Sequence, residues 1–183
     1  MTNDPFNRHL NLNNQDLFSR HLDIEFKLFD NKWLKENPDL ANGEFPLPQY
    51  ESDEAAAMDI RAFMEEEKVE LHSGQKFKFR AGFGFHINNP WIAAHILPRS
   101  GTGVKGTNLK NTLGLIDSDY QGELSCTAIN TNEDGEPPIV ITRGDRIFQL
   151  VFVPIIRVKP NWVDTFSATT KRGTGGFGST GKN

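Results

Sequence analysis

The sequence predicts an all-β fold, a sandwich or barrel of many short strands, on three observations. Residues Lys76–Ile87 alternate strictly, with Phe77, Phe79, Ala81, Phe83, Phe85 and Ile87 on one face and Lys76, Lys78 and Arg80 on the other. Turn-forming clusters recur at short intervals along the chain. No stretch sustains the 3.6-residue period long enough to predict a long helix.

The elements follow in order. Residues 1 to about 20 are Asn-rich and aperiodic, so they read as an accessory extension. Asp23–Phe29 alternates weakly and predicts a first strand. Asp30–Gly43 is polar and reads as an insertion or loop with a short helix. The run Phe45-Pro-Leu-Pro-Gln-Tyr50 must be extended or turned, since each proline removes a donor and disfavours helix in its predecessor. Trp91–Leu97 predicts a strand closed by Pro98. Leu113–Ile116 and Gly122–Ile129 predict two strands around a tight turn at Asp117–Tyr120, which would form a hairpin. Asn132-Glu-Asp-Gly135 is a hairpin signal. Ile139–Ile141, Ile147–Val153 and Ile155–Val158 complete the expected strands. The chain thus divides into residues 1–44, an N-terminal extension, first strand and accessory insertion; residues 45–170, the β core; and residues 171–183, a Gly-rich tail.

Composition narrows the function classes. With 37% hydrophobic and 24% charged residues, the 183-residue chain is ordinary for one soluble domain with a core. No apolar run approaches the ~20 residues that span a bilayer, and Met1–Leu10 lacks the apolar core of a secretion signal. The lone Cys126 can make neither an internal disulfide nor a metal cluster, which suits a reducing cytoplasm. A net charge of −4 leaves no basic footprint for nucleic acid. An anionic ligand would therefore need local Arg groups, backbone N–H groups or a cation. His9, His21, His72, His86 and His95 are scattered without ligand spacing, and His86 and His95, on predicted strands, read as structural residues.

Two apparent nucleotide motifs are rejected. Gly173-Thr-Gly175-Gly-Phe-Gly178 matches a dinucleotide pattern and Gly176–Lys182 matches most of a P-loop. Both mechanisms need a helix after the loop, and here the given sequence stops at Asn183, where a P-loop would carry Ser or Thr.

Two other segments offer chemistry. Gly114-Leu-Ile-Asp117-Ser-Asp119-Tyr120-Gln-Gly122 sets two carboxylates and a tyrosine on a turn between apolar strands. Asp, Ser and Gly favour turns for backbone reasons alone, yet a carboxylate there is also well placed as a general base. Pro98-Arg99-Ser100-Gly101 follows a strand, and it offers donors plus a glycine that lets backbone approach a phosphate.

Taken together, five segments in order resemble the trimeric dUTPase family. They are Ala56-Ala-Met-Asp59-Ile-Arg-Ala62, Pro98-Arg-Ser-Gly101, Asn111–Gly122, Gly144-Asp-Arg-Ile-Phe-Gln149-Leu-Val-Phe152 and Arg172–Gly181. The resemblance runs from about Phe45 to Asn183, and its third and fifth segments are the specific ones. It implies a jelly-roll-like β-barrel, a homotrimer with shared active sites, and a flexible C-terminal tail that closes as a lid over a neighbour's site. It implies hydrolysis of dUTP to dUMP and pyrophosphate, which keeps uracil out of DNA and supplies dUMP for dTMP synthesis.

The resemblance also implies roles. Asp117 would deprotonate a water that attacks the α-phosphorus in line. Mg2+ would bridge the phosphates, and Asp59 would meet it through water, or else make a structural bond on its strand. Ser100, Gly101 and Gln149 match phosphate-contacting positions. Arg99 would support the same anion or pair with a carboxylate. Arg172 would reach the terminal phosphate with its guanidinium fork. Phe177 would stack over the uracil, with Gly178 and Ser179 among the tail's substrate contacts. Asn111 and main-chain groups near Leu115 and Ile116 would read the uracil edge, and a tight hairpin would exclude the thymine methyl. Tyr120 would pack under the sugar and exclude ribose. Ser125 carries only a backbone role. The first segment departs from the family in having Ala56-Ala57 where many members have Ala-Gly, which requires that position to avoid φ > 0.

Two rivals stand beside this reading. A dCTP deaminase-type enzyme would share the fold but need a glutamate base. A dUTPase scaffold with an added regulatory role would use residues 1–44 to bind a protein partner. Neither nucleic acid nor membrane is expected as a partner.

Overall fold

The computed structural model describes residues 22–29 and 47–176. The expected insertion at Asp30–Gly43 and most of the N-terminal extension, with His9 and His21, lie outside the described residues. Eleven strands are present among the described residues: β1 (Glu25–Leu28), β2 (Met58–Arg61), β3 (Lys68–Leu71), β4 (Lys76–Arg80), β5 (Phe83–His86), β6 (Ile92–Pro98), β7 (Thr107–Leu109), β8 (Gly114–Ile116), β9 (Ser125–Asn130), β10 (Ile139–Thr142) and β11 (Arg146–Pro154). A single helical turn, α1, covers Ser100–Gly103.

The all-β expectation holds. The strands pair antiparallel in four ladders: β1-β5, β10-β3, β2-β11-β6-β8 and β4-β9-β7. These ladders do not join into one continuous closed sheet among the described residues. They enclose one core, in which Ile60, Phe79, Ile96, Leu124, Ile141, Phe148 and Leu150 are almost completely buried. Burial on this scale is the main source of stability in a fold with so little helix.

The longest alternating run is present but broken. Lys76–Ile87 forms β4 and β5 with a break at Ala81-Gly82, where Gly82 has φ +75°. The alternation survives the break: Phe79, Ala81, Phe83, Phe85 and Ile87 are all buried. A Cβ on Gly84 would run into the Gly122 oxygen, so backbone meets backbone there and only glycine fits. That approach fastens β5 against the loop carrying Asp117–Gly122.

Three sequence expectations need correction. Residues 155–158, with apolar Ile155, Ile156 and Val158, form no strand: Ile155 N donates to the Trp91 oxygen at 2.8 Å, but no ladder continues past it. Asn132–Gly135 makes a turn, with Gly135 at φ +95°, but not a hairpin: β9 before it pairs with β4 and β7, while β10 after it pairs with β3. Likewise β8 and β9 are not partners, so Asp117–Leu124 is a crossing between two ladders rather than a hairpin turn. Strands β3 and β7 have no counterpart among the expected strands. The β3 sequence KVEL has two charged, exposed positions out of four and so carries little apolar signal. The Ala56-Ala57 departure is harmless, because the only non-glycine residues with positive φ among the described residues are Asn88 and Thr112.

Cys126 on β9 is 3% exposed, and burial pushes its thiol from 9.0 up to about 12. The protonated thiol is thus held in the folded state. An aromatic disulfide reagent at pH 8 is expected to label Cys126 only as fast as the protein opens, and at once in denaturant. Above about pH 9 the unfolded chain sheds a proton that the folded chain keeps until about 12, so this group makes stability fall as pH climbs through that window. Rapid labelling of the folded protein would contradict the buried placement.

Candidate active site

The phosphate-type segment is built on the central ladder. Asp59 on β2, Gln149 on β11 and Leu97 on β6 are register partners, so Asp59 and Gln149 stand side by side. Pro98 ends β6, Arg99 is extended, and α1 follows at once. Thr102 Oγ1 donates to the Arg99 oxygen at 3.1 Å and the Ile147 oxygen at 3.0 Å, and Gln149 Nε2 donates to the Pro98 oxygen at 3.1 Å. These bonds fasten the turn to β11 from beneath. Its outer side stays free: Ser100 is exposed, Gly101 is open, and a Cβ at Gly101 would meet nothing within 4 Å.

Beside this turn lies a row of alternating charges. Asp59 Oδ1 is 2.7 Å from Arg99 Nε, and Asp59 Oδ2 is 3.1 Å from Arg146 Nη1. The second contact is close but out of line, and Oδ2 is buried with no aligned hydrogen bond. Arg99 Nη1 also donates to the Arg146 oxygen at 3.1 Å, and Arg146 Nη1 lies 3.1 Å from Glu51 Oε2. The Asp59 side chain is only 11% exposed. Its carboxylate therefore holds two guanidinium groups in place at the mouth of the Ser100–Gly101 turn.

The base-type segment sits at the sheet's edge. β8 pairs with β6 alone, through Ala94–Ile116, His95–Leu115 and Ile96–Gly114. The backbone groups on its outer side thus face away from any strand of this chain's described part, as donors and acceptors for a planar ligand edge. Gly114 is packed so tightly on Ile96 that a Cβ would lie 2.9 Å from the Ile96 Cβ. Just before it, Asn111 Nδ2 donates to the Leu113 oxygen at 3.1 Å, and Thr112 has φ 66°. A β-branched residue with positive φ is uncommon, and such strain concentrates at ligand-binding turns.

Leu113, Leu115 and Tyr120 are exposed around this edge, and Ile116 is half-buried against the core. Asp117 is exposed at the end of β8, and its backbone oxygen accepts from Tyr120 N at 3.2 Å. The Tyr120 hydroxyl donates to the Glu123 oxygen at 3.0 Å, and its ring lies over Gly122, where a Cβ would collide with the hydroxyl. Tyr120 is thereby fixed beside Asp117. Ser125 starts β9 in the other ladder, opposite Arg80, and is not part of this edge.

The two segments are far apart within one chain. Ile116 is level with Ala94 on β6, whereas Gln149 is level with Leu97 and the turn begins after Pro98. Four residues of strand separate Ala94 from Pro98, or roughly 13 Å at about 3.3 Å per residue, and Asp117 lies further out still. The fold brings Asp59, Arg99, Ser100, Gly101 and Gln149 together and separately gathers Asn111, Leu115, Ile116, Asp117 and Tyr120.

The described part of the tail, residues 171–176, joins neither group in this chain. After β11 the described backbone, residues 155–176, runs without strand or helix, leaving Ile156, Val158, Trp162 and Phe166 exposed at 91%, 78%, 92% and 87%. Arg172 is exposed, and its Nε donates to the Gly175 oxygen at 2.8 Å within its own turn. Phe177, Gly178 and Ser179 lie outside the described residues. Among the described residues no group of three or more His, Cys, Asp or Glu is placed to hold a metal. His86 lies 3.5 Å from Glu25, in the strand pair β1-β5. Sequence reasoning assigns no role to Glu51 or Arg146. Arg146 stands in the fourth of the five family segments, and nothing local marks Glu51 as its partner.

Comparison with known proteins supplies the family. The dUTPase family model matches residues 43–181. A deoxyuridine 5'-triphosphate nucleotidohydrolase of Pseudomonas entomophila (strain L48) is 48% identical over 139 residues, which cover 75% of this chain and 89% of that protein. A mutant of the dUTPase of Staphylococcus bacteriophage 80alpha, with dUpNHpp, aligns with a TM-score of 0.69 at 23% identity, covering 87% of this chain and 98% of that one. A mutant dUTPase from phage phi11 of S. aureus, described with a structural Mg(II) ion, aligns at TM-score 0.61 and 19% identity, covering 80% and 99%. The two structures speak to the fold, while the family match and the bacterial relative speak to descent: this chain belongs to the dUTPase family.

Proposed function

We propose that this protein hydrolyses dUTP to dUMP and pyrophosphate. The observation that carries the reading is the pairing of an edge strand shaped for a base, ending in the exposed Asp117, with a separately built anion-facing turn at Arg99–Gly101. Asp117 takes the proton of the attacking water. The outer backbone of Leu115 and Ile116, with Asn111, pairs with the uracil edge; cytosine reverses that pattern and leaves buried groups unpaired. Tyr120, held by Glu123 and Gly122, packs against the deoxyribose. Ser100, Gly101 and Gln149 take the phosphates, with Arg99 as the nearest cation. Arg172, Phe177, Gly178 and Ser179 close over the substrate.

Mg2+ enters with the triphosphate, as the Mg–dUTP substrate complex. The residues fit that mode better than a protein-built cage: Asp59 Oδ2 has no aligned hydrogen bond, yet two arginines flank the Asp59 carboxylate, Arg99 at Oδ1 and Arg146 at Oδ2. A hydrated ion held by phosphate oxygens suits such a site.

Within this reading the active enzyme is a homotrimer. The separation of the two groups of residues leaves each chain with two half-sites, and a neighbour placed against it completes both. The exposed Ile156, Val158, Trp162 and Phe166 make the post-β11 segment suited to packing on another subunit. Residues 45–170 form the catalytic core, 171–183 the closing tail and 1–44 an extension. No described helix is long and apolar enough to cross a membrane. The reaction and a lone buried thiol suit a reducing cytoplasm.

Pyrophosphate release from dUTP, dTTP, dCTP and UTP with Mg2+ tests the reading, with ammonia release from dCTP measured alongside. Turnover confined to dUTP is the expected result. Ammonia from dCTP would move the assignment to a deaminase, and no turnover by folded protein would sink it.

A further inference from the structure

The cluster at the anion-facing turn holds more negative charge than binding a polyphosphate requires. Asp59 alone faces Arg99 and Arg146, one carboxylate between two guanidinium groups. The second carboxylate is Glu51, on the strand-free segment before β2, 3.1 Å from Arg146. It is the most exposed member of the row, at 42% against 37% for Arg146, 31% for Arg99 and 11% for Asp59. The other nearby cation, Arg61, is turned away and donates to the Gly144 oxygen at 2.9 Å. Glu51 therefore brings the row Arg99–Asp59–Arg146–Glu51 from one net positive charge to none.

From this we infer that Glu51 is a positioning residue that holds Arg146 and neutralises the cluster, limiting how tightly the site retains pyrophosphate. The inference rests on the dUTP reading. A triphosphate and its pyrophosphate product both carry several negative charges, so an extra positive charge strengthens substrate binding and product retention together. Neutrality lets the product leave. Because Glu51 and Arg146 are both part-exposed, solvent screens the effect and keeps it modest.

The test is steady-state kinetics with pyrophosphate inhibition on the full chain, comparing wild type, Glu51→Gln and Glu51→Asp. In Glu51→Gln the KM for dUTP and the inhibition constant of pyrophosphate are expected to fall together, about two- to fivefold at low salt. The difference should vanish near ~0.5 M salt, where the screening length is only a few ångströms. Glu51→Asp keeps the charge and should recover most of the wild-type constants. Unchanged or weaker constants in Glu51→Gln, with a lowered Tm, would make Glu51 a mere fastener of the segment before β2 and overturn the inference while leaving the reaction intact. Absence of dUTP turnover in wild type would overturn both.

Discussion

Replacing Asp117 by Asn is expected to lower dUTP turnover by about 10²–10⁴-fold, the usual contribution of a positioned general base. The folded protein should hardly change. Asp117 is exposed, and among the described residues its carboxylate makes no ion pair or hydrogen bond, while its backbone oxygen still accepts from Tyr120 N. An exposed substitution of that kind shifts stability by about 0.5 kcal/mol or less. The amide keeps the shape of the carboxylate and its acceptor oxygen, so a water can still be held there. What it loses is the capacity to take the proton. KM should therefore move much less than kcat, because the base acts in the transition state rather than in binding. Calorimetry with dUpNHpp and thermal unfolding would separate the cases. A variant that retains turnover transfers the base to another group, Asp119 being the neighbouring carboxylate. A variant that loses substrate binding in parallel makes Asp117 a binding residue.

The fold was legible where local pattern decides it. The β4–β5 run reads from period-two alternation because one face is buried, and alternation is the direct trace of burial. The same rule fails at residues 155–158: apolar side chains ask for a cover, but they do not say whether a strand of the same chain provides it. Turn chemistry behaves similarly. Gly135 bends the chain as its signal implies, yet whether the flanking strands pair depends on distant partners, β3 for one and β4 with β7 for the other. At the site, residue types at Arg99–Gly101 and Asn111–Tyr120 could be picked out because each segment is contiguous. The Asp59–Arg99–Arg146–Glu51 row could not, since four separate stretches of chain contribute one charge each and only tertiary packing makes them neighbours.

Complementation between two inactive variants gives the sharpest test of how the half-sites combine. One variant is Asp117→Asn, which spoils the base half. The other ends at Thr170, removing Lys171–Asn183 with Arg172 and Phe177. Loss of the closing tail is expected to cost on the order of 10²-fold, since it removes groups that position the triphosphate and exclude water. Unfolding the two together at equal amounts and refolding them would mix subunits at random. If a site takes Asp117 from one subunit and its tail from another, it works when the first donor is the truncated chain and the second is the Asn variant. Each condition is met half the time, so about one quarter of sites should be active, as expected for a site shared across a symmetric assembly. If instead each chain folded its own tail onto its own Asp117, every chain would carry one defect and the mixture would stay as inactive as its parts. The geometry favours recovery. The Asp117 edge and the Arg99–Gly101 turn are held apart by at least four residues of the same rigid strand, β6, and no side-chain motion closes that gap within one chain. Recovery near one quarter would therefore establish the shared site directly. None would mean that Asp117 and the closing tail at each site come from one and the same chain.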